Sequence, residues 1–127
     1  MDADEFIAAI KVVVHDSTIS GTQATLERPS GRKPPEKIVQ LSQWYNALPE
    51  TDKNRVREVI TLAVHGSVFG LLCVIDGVQV IESSVEKSDF ELHQVREGAR
   101  NIINGNNISL HDIYQSEVWN EVYGSKA

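Results

Sequence analysis

The sequence predicts a mainly α protein of the α+β class: a compact helical domain of four to five helices around a buried apolar central helix, with a small β-hairpin near residues 89–103. Three observations predict this class. Apolar residues recur at intervals of three and four through much of the first 75 residues, as on a helix with one buried face. Seventeen residues without a formal charge, Val59–Ile75, lie between Glu58 and Asp76. Residues 90–103 change to the two-residue alternation of strands.

Length and composition predict one soluble domain, residues 1–127. Hydrophobic residues make up 41% of the chain and charged residues 24%, which is enough apolar material to fold without metals or disulfides. The single cysteine, Cys73, excludes an internal disulfide. The opening MDADEFIAAI begins with acids where a secretory signal carries positive charge, so we expect a cytoplasmic protein.

The first helix is predicted from Asp4 to about His15. Its apolar stripe comprises Phe6, Ile10, Val13 and Val14. The run DSTISGTQ, residues 16–23, is rich in residues that favour turns and caps, so the helix either ends there or restarts for a short piece ending near Leu26. RPSGRKPP, residues 28–35, predicts an exposed basic loop.

A second helix is predicted from Pro35 to about Ala47, and a third opens near Thr51, a candidate N-cap. The stripe of the second helix comprises Ile38, Leu41, Tyr45 and Leu48. The inner face of the third comprises Val56, Val59, Ile60, Ala63 and Val64. Their short connection predicts antiparallel packing.

The uncharged stretch admits two interpretations. It reaches the lower limit for a bilayer span, and Gly66 and Gly70 form a small-xxx-small pair. The central His65 and the other amphipathic segments, which need a common core, favour a buried helix and no membrane. We expect Gly66 and Ser67 to kink the stretch or divide it into helices 51–64 and 67–75, followed by a turn at Asp76–Gly77.

The C-terminal part predicts a hairpin and a last helix. DFELHQV and ARNII alternate on either side of Arg96-Glu97-Gly98, although a helix through the same residues is the competing interpretation. NGNN, residues 104–107, predicts a turn. Ser109 with Asp112 resembles a capping box. The inner face of the last helix comprises Leu110, Ile113, Tyr114 and Val118.

No arrangement of residues predicts catalysis, a cofactor or a metal. No two of the four histidines share a spacing that places two ligands on one helical face. The pairs His15-Asp16 and His111-Asp112 are adjacent, so their side chains diverge, and we expect both pairs at helix ends. Apolar neighbours should raise the pKa of Cys73, which predicts a buried structural thiol. We therefore expect a protein that is not an enzyme.

Charge is distributed unevenly along the chain. Residues 1–75 hold nine acids and eight bases, whereas residues 76–127 hold nine acids and four bases. The negative C-terminal part favours a basic protein partner and disfavours nucleic acid. The residues predicted to bind this partner are Glu82, Glu86, Asp89, Glu91, Glu97, Tyr114, Glu117, Trp119, Glu121 and Tyr123. The alternative is that the acids serve solubility and Trp119 covers the edge of the core.

Three segments carry a resemblance: LSQWYNALPETDKNRV, SVFGLLCVIDGVQVIE and SLHDIY, within residues 41–114. They resemble small bacterial helical proteins of unassigned function, in which a phenylalanine-glycine helix precedes a short hairpin and a final helix. The size, acidity and lack of catalytic residues are similar to toxin-immunity proteins of the contact-dependent inhibition type. That likeness implies an inhibitor that occludes a basic toxin domain, and it assigns no residues.

The leading hypothesis is therefore a non-catalytic, immunity-type inhibitor that acts as a monomer or a homodimer. One alternative is a small-molecule sensor with a pocket lined by Trp44, Tyr45, Phe69 and Cys73. Another is a self-associating structural protein in which Gly66 and Gly70 allow close approach of two helices.

Overall fold

The N-terminal helix of this computed structural model, which describes residues 1–125, runs without a break from Ala3 to Glu27. It comprises α1 (Ala3–Ile10), a π-helical segment (Lys11–Asp16, the π segment) and α2 (Ser17–Glu27). Asp2 caps α1, since its Oδ1 accepts a hydrogen bond from the Glu5 amide at 2.8 Å.

The serine- and threonine-rich run does not end this helix. Ser17, Thr22 and Thr25 donate their hydroxyl hydrogens to carbonyl oxygens one turn earlier, at 2.7–3.0 Å. The hydroxyls are thus satisfied within the helix. The predicted stop near His15 is wrong, whereas the predicted helical piece ending near Leu26 is present as α2, which follows the π segment without a break and ends at Glu27.

The π segment also changes which residues face inward. A π-turn holds more residues than an α-turn, so the apolar spacing of α1 does not continue through it. Val13 is exposed and Val14 largely so, contrary to the predicted stripe, and His15 is fully buried in their place.

The second predicted helix is confirmed as α3 (Glu36–Asn46), which begins after Pro35. Its Tyr45 is buried as predicted, but Leu41 is exposed. In the described range α3 packs on α2 and not along the following helix, so the predicted antiparallel pair is wrong. Asn46 contributes to the α2 contact, because its amide donates to the carbonyl of Glu27 at 3.1 Å.

The third predicted helix is a single element, α4 (Glu50–Ile75), of 26 residues. Gly66 and Ser67 do not divide it, and the Ser67 hydroxyl donates to the Ala63 carbonyl at 2.9 Å. The N-cap is Pro49, so the predicted cap at Thr51 is wrong. The predicted turn after the helix is confirmed, with Gly77 at φ +77°.

The hairpin is confirmed, and the competing helix is wrong. Strands β1 (His93–Arg96) and β2 (Ala99–Ile102) pair antiparallel, with His93 opposite Ile102. Glu97 and Gly98 have φ of +51° and +82°, as in the two-residue turn that matches the twist of the strands.

The last helix is α5 (Leu110–Tyr123), and the main core forms where α1 and the C-terminal half of α4 pack against it. Asn104 attaches the hairpin region to this core. Its amide donates to the carbonyls of Ile75 and Phe90, at 3.2 and 2.9 Å, and its Oδ1 accepts from the Leu92 amide at 2.7 Å. The buried members of the core are Ala3, Ile7, Leu72, Ile103, Leu110, Tyr114 and Val118.

Candidate functional site

Two histidines lie in the interior between the π segment, α4 and α5. His15 has no exposed surface; its Nδ1 lies 2.7 Å from the Tyr114 hydroxyl and its Nε2 lies 3.1 Å from Glu121 Oε1. The tautomer with hydrogen on Nε2 satisfies both contacts, since Nε2–H donates to the carboxylate and Nδ1 accepts from the phenol. His15 and Tyr114 are fully buried, whereas Glu121 is exposed; we call Glu121, His15 and Tyr114 the buried triad after its two buried members.

The π segment also places a cation beside the triad. The Lys11 ammonium lies 3.0 Å from Asp16 Oδ2 and 3.9 Å from Glu121 Oε2. The hydrogen bond to Asp16 raises the pKa of Lys11, and the nearby carboxylates of Asp16, Glu121 and Glu117 add to the rise against the opposing effect of burial.

Three groups in this region have the ligand types that a metal ion would use. Ligand atoms of His15, Asp16 and Glu121 lie within 4.8 Å of one another. The Lys11 ammonium already contacts both carboxylates, at 3.0 and 3.9 Å, and offsets part of their negative charge.

His65 is the second buried histidine. Its ring stacks on Phe69 and Tyr114, at centroid distances of 5.5 and 5.7 Å, and meets the edge of Tyr123 at 5.4 Å. Its Nε2 has no hydrogen-bond partner among residues 1–125. Burial, with a smaller contribution from His15, lowers the pKa of His65 and favours the uncharged ring.

The buried triad resembles the carboxylate–imidazole–hydroxyl chains of nucleophilic enzymes, but a substrate cannot reach it. His15 and Tyr114 are both fully buried. Burial, together with the charges of Glu121 and Asp16, raises the pKa of Tyr114 far above its ordinary value, so its phenol stays protonated. The triad therefore joins the N-terminal helix to α5 and offers no accessible nucleophile.

A second buried polar pair connects α4 to α5. Oδ2 of Asp76 accepts hydrogen bonds from the His111 amide at 2.9 Å and from its ring Nδ1 at 2.6 Å. Asp76 thus caps the first turn of α5 from another helix, where the dipole favours negative charge. Ser109 occupies the N-cap position, but its hydroxyl bonds to the Asp112 carboxylate and not to a backbone amide. The predicted capping box is therefore only partly formed.

Of the two histidine–aspartate pairs, only His111-Asp112 lies at a helix end, as predicted. The other expectation is wrong, because His15 lies within the continuous N-terminal helix.

The acids predicted to bind a partner fall into two groups. The first comprises Glu82, Glu86, Asp89 and Glu91, on the irregular segment before the hairpin, and Glu97, at its turn. Glu82 accepts from the amide and hydroxyl of Ser88, and Glu91 lies 3.0 Å from His93 Nε2. Within residues 1–125, no lysine or arginine forms an ion pair with these five carboxylates. We call them the acidic segment.

The second group lies in the C-terminal half of α5. Trp119 and Tyr123 form an aromatic pair with centroids 4.6 Å apart, and Tyr123 is half exposed. Glu117 is exposed, whereas Glu121 contacts His15 and Lys11.

Tyr114 does not belong to a binding surface. Its side chain is fully buried and bonded to His15, so its predicted role in partner binding is wrong.

The apolar helix is buried on only one face. α4 is long and apolar enough to cross a membrane by length and composition, and 22% of its most apolar stretch is buried. Val59 and Ala63, predicted to face inward, are exposed, whereas Val64 is buried as predicted. The expectation that this whole stretch forms the core is therefore wrong. We call Val59, Leu62, Ala63, Gly66 and Gly70 the outer face of α4.

The predicted sensor pocket is not formed. Tyr45 lies beneath the Lys53 ammonium at the start of α4, at 5.5 Å, whereas Phe69 stacks on His65. Lys53 and Phe69 are separated by about 24 Å along the helix axis. Trp44 is half exposed.

Cys73 has the raised pKa that the sequence predicts, but its side chain is more exposed than predicted. Burial, followed by the charges of Asp76 and Asp112, raises its pKa as predicted. The residue is only half-buried, so the expectation of a fully buried thiol is wrong.

Comparisons of the sequence with protein-family models, with curated proteins and with solved structures find no match.

Proposed function

We propose that this chain is a non-catalytic protein-binding protein of the immunity type, which occludes a basic toxin domain through its acidic C-terminal region. The observation that carries the proposal is the acidic segment. Its five carboxylates lack ion pairs with lysine or arginine in the described range, and all but the half-buried Glu82 are exposed.

Electrostatics supports a basic partner. Unpaired exposed carboxylates attract lysine and arginine side chains, speed association and repel a phosphate backbone. The exposed part of the Trp119–Tyr123 pair adds the aromatic contact area that protein interfaces favour. Nucleic acid is therefore not part of the proposal.

The inaccessible triad supports a role without catalysis. Its imidazole and phenol are both sealed in the interior. A protein that acts by occlusion needs only a stable folded surface.

The test is co-expression with the product of the neighbouring gene. We expect that product to be toxic alone, to be neutralised by this chain and to co-purify with it. The triple variant Glu86→Lys, Asp89→Lys and Glu91→Lys should lose protection and weaken the complex by at least about a hundredfold, because three attractive contacts become repulsive.

A matched variant controls for net charge. Glu27→Lys, Glu36→Lys and Glu58→Lys reverse three exposed acids of the N-terminal half and should leave protection unchanged. Equal loss of protection in both variants would assign the effect to net charge and reject the acidic segment. A harmless, non-binding neighbour would contradict the immunity-type function itself.

A further inference from the structure

The outer face of α4 is an apolar surface that this chain leaves uncovered. Val59 is 64% exposed and Leu62 49% exposed, and Ala63 and Gly66 are exposed beside them. A methyl group added at Gly66 or Gly70 would meet no atom within 4 Å. These residues recur at intervals of three and four, so they form one stripe along the helix.

The chain as a whole exposes more surface than a monomer of its size. Its accessible area is 9028 Å², whereas a folded monomer of 14.1 kDa exposes roughly 6,700 Å². The extended segment 78–91 and α4 both contribute to this excess. A standard protein interface covers about 800 Å² on each partner, so an interface centred on the outer face must extend to the exposed neighbours of these residues on α4, such as Leu71 at 61% exposure.

Lipid does not fit as the covering material. α5 packs against the opposite side of α4 and carries Asp112, Glu117 and Glu121. A bilayer around α4 would draw these acids to membrane depth, where charged side chains are strongly disfavoured.

Charge limits where two copies of this chain can meet. Two copies, each with a net charge of −6, repel one another, so they can meet closely only where acids are absent. The outer face carries no charged residue. A basic partner would be drawn instead to the acidic segment.

We infer that the outer face of α4 is the interface of a homodimer, in which the α4 helices of two copies pack around a two-fold axis with Gly66 and Gly70 at their closest approach. A two-fold interface pairs one surface with itself, and glycines let two helix backbones approach closely. This inference does not depend on the proposed immunity function.

Sedimentation equilibrium of the purified protein without detergent tests the inference. We expect a mass of about 28 kDa, twice the 14.1 kDa of one chain. Monomer at every concentration reached would overturn the inference. Flotation with phosphatidylcholine–phosphatidylglycerol vesicles would also overturn it, because lipid would then be the occupant.

Two variants locate the interface. The double variant Gly66→Leu and Gly70→Leu has room for its side chains within one chain, so it should fold and run as a monomer. Ala63→Glu keeps a good helix former and should weaken the dimer about tenfold or more, since like charges face each other across the axis.

Gly21→Leu is the matched control. Gly21 is also an exposed helical glycine with no atom within 4 Å of an added Cβ, but it lies on α2. We expect this variant to remain dimeric. A dimer that tolerates Gly66→Leu with Gly70→Leu and also Ala63→Glu, while each variant retains wild-type circular dichroism, would place the interface elsewhere and overturn the inference.

Discussion

The two faces of α4 differ in burial more than in hydrophobicity, because the inner face also packs the partly buried Val68, Phe69 and Ile75 against the core. The buried face carries Thr61, Val64, His65 and Leu72, two of which are polar. The outer face carries only valine, leucine, alanine and glycine, and is exposed. The side chains of α5 decide which face is covered, because Tyr114 and Tyr123 pack against the ring of His65 and His111 packs against Phe69. An uncharged run in the sequence therefore predicts an apolar helix, but it does not predict which face of that helix the rest of the chain covers.

Leu71 and Leu72 provide the most direct test of this comparison. Leu72 is 4% exposed and Leu71 is 61% exposed. Leu72→Ala should lower the free energy of unfolding by about 2–5 kcal/mol, whereas Leu71→Ala should lower it by less than about 1 kcal/mol. Urea unfolding followed by circular dichroism measures both. Equal losses would mean that the exposed leucine is covered in solution.

The inner face of α4 packs against the buried triad, and two tyrosine variants test the contribution of the triad to stability. Tyr114→Phe removes the hydroxyl that donates to His15 Nδ1 and leaves a buried acceptor unpaired. We expect the free energy of unfolding to fall by about 1–3 kcal/mol. Tyr123→Phe is the matched control, because its half-exposed hydroxyl lies 3.5 Å from His65 Nδ1 and contributes little. A larger loss at Tyr123 than at Tyr114 would contradict the assigned network.

The sequence predicts the elements of this fold better than their faces. Periodicity and turn chemistry are local, so α3, the hairpin and α5 fall where the pattern indicates. The inward face of the π segment depends on one extra residue in a turn, and no spacing in the sequence marks it. His15 consequently replaces Val13 and Val14 in the core.

The candidate site depends even more on long-range contacts. His15 meets residues about one hundred positions away, and Asp76 meets His111 at a separation of 35. Adjacent pairs such as His15-Asp16 gave no indication of these partners. The acidic segment, in contrast, is visible in the sequence because exposed charges need no specific contact.

The buried His65 on the inner face of α4 should make the stability of the protein depend on pH. Burial lowers its pKa in the folded chain below the ordinary value of 6.5, so the unfolded chain binds the proton first as the pH falls. The stabilisation is complete above pH 6.5 and is lost progressively below it, with a slope of at most about 1.4 kcal/mol per pH unit. Unfolding free energies measured from pH 7.5 to pH 5 should show this decline, which begins near about pH 6.5.

The control for this pH dependence is His65→Phe, which keeps an aromatic ring in the stack with Phe69 and Tyr114. The wild type should lose stability relative to this variant as the pH falls. Parallel profiles would assign the slope to other groups.

The smallest expected effect is at Gly66 on the outer face, where one substitution should change the stability of the monomer and the association of two copies in opposite directions. Gly66→Ala removes a helix-interior glycine where an added methyl meets nothing, so it should raise the stability of the monomer by about 0.5–1 kcal/mol. The same methyl lies at the inferred closest approach of two copies, so it should weaken the dimer. Gly21→Ala should bring the same gain in stability with unchanged association, and Gly77→Ala, at φ +77°, should lose stability. A gain in unfolding free energy together with a weaker dimer, seen at Gly66 and not at Gly21, would show that the glycine at position 66 serves the contact between two copies. An unchanged dimer would argue against close approach at that residue.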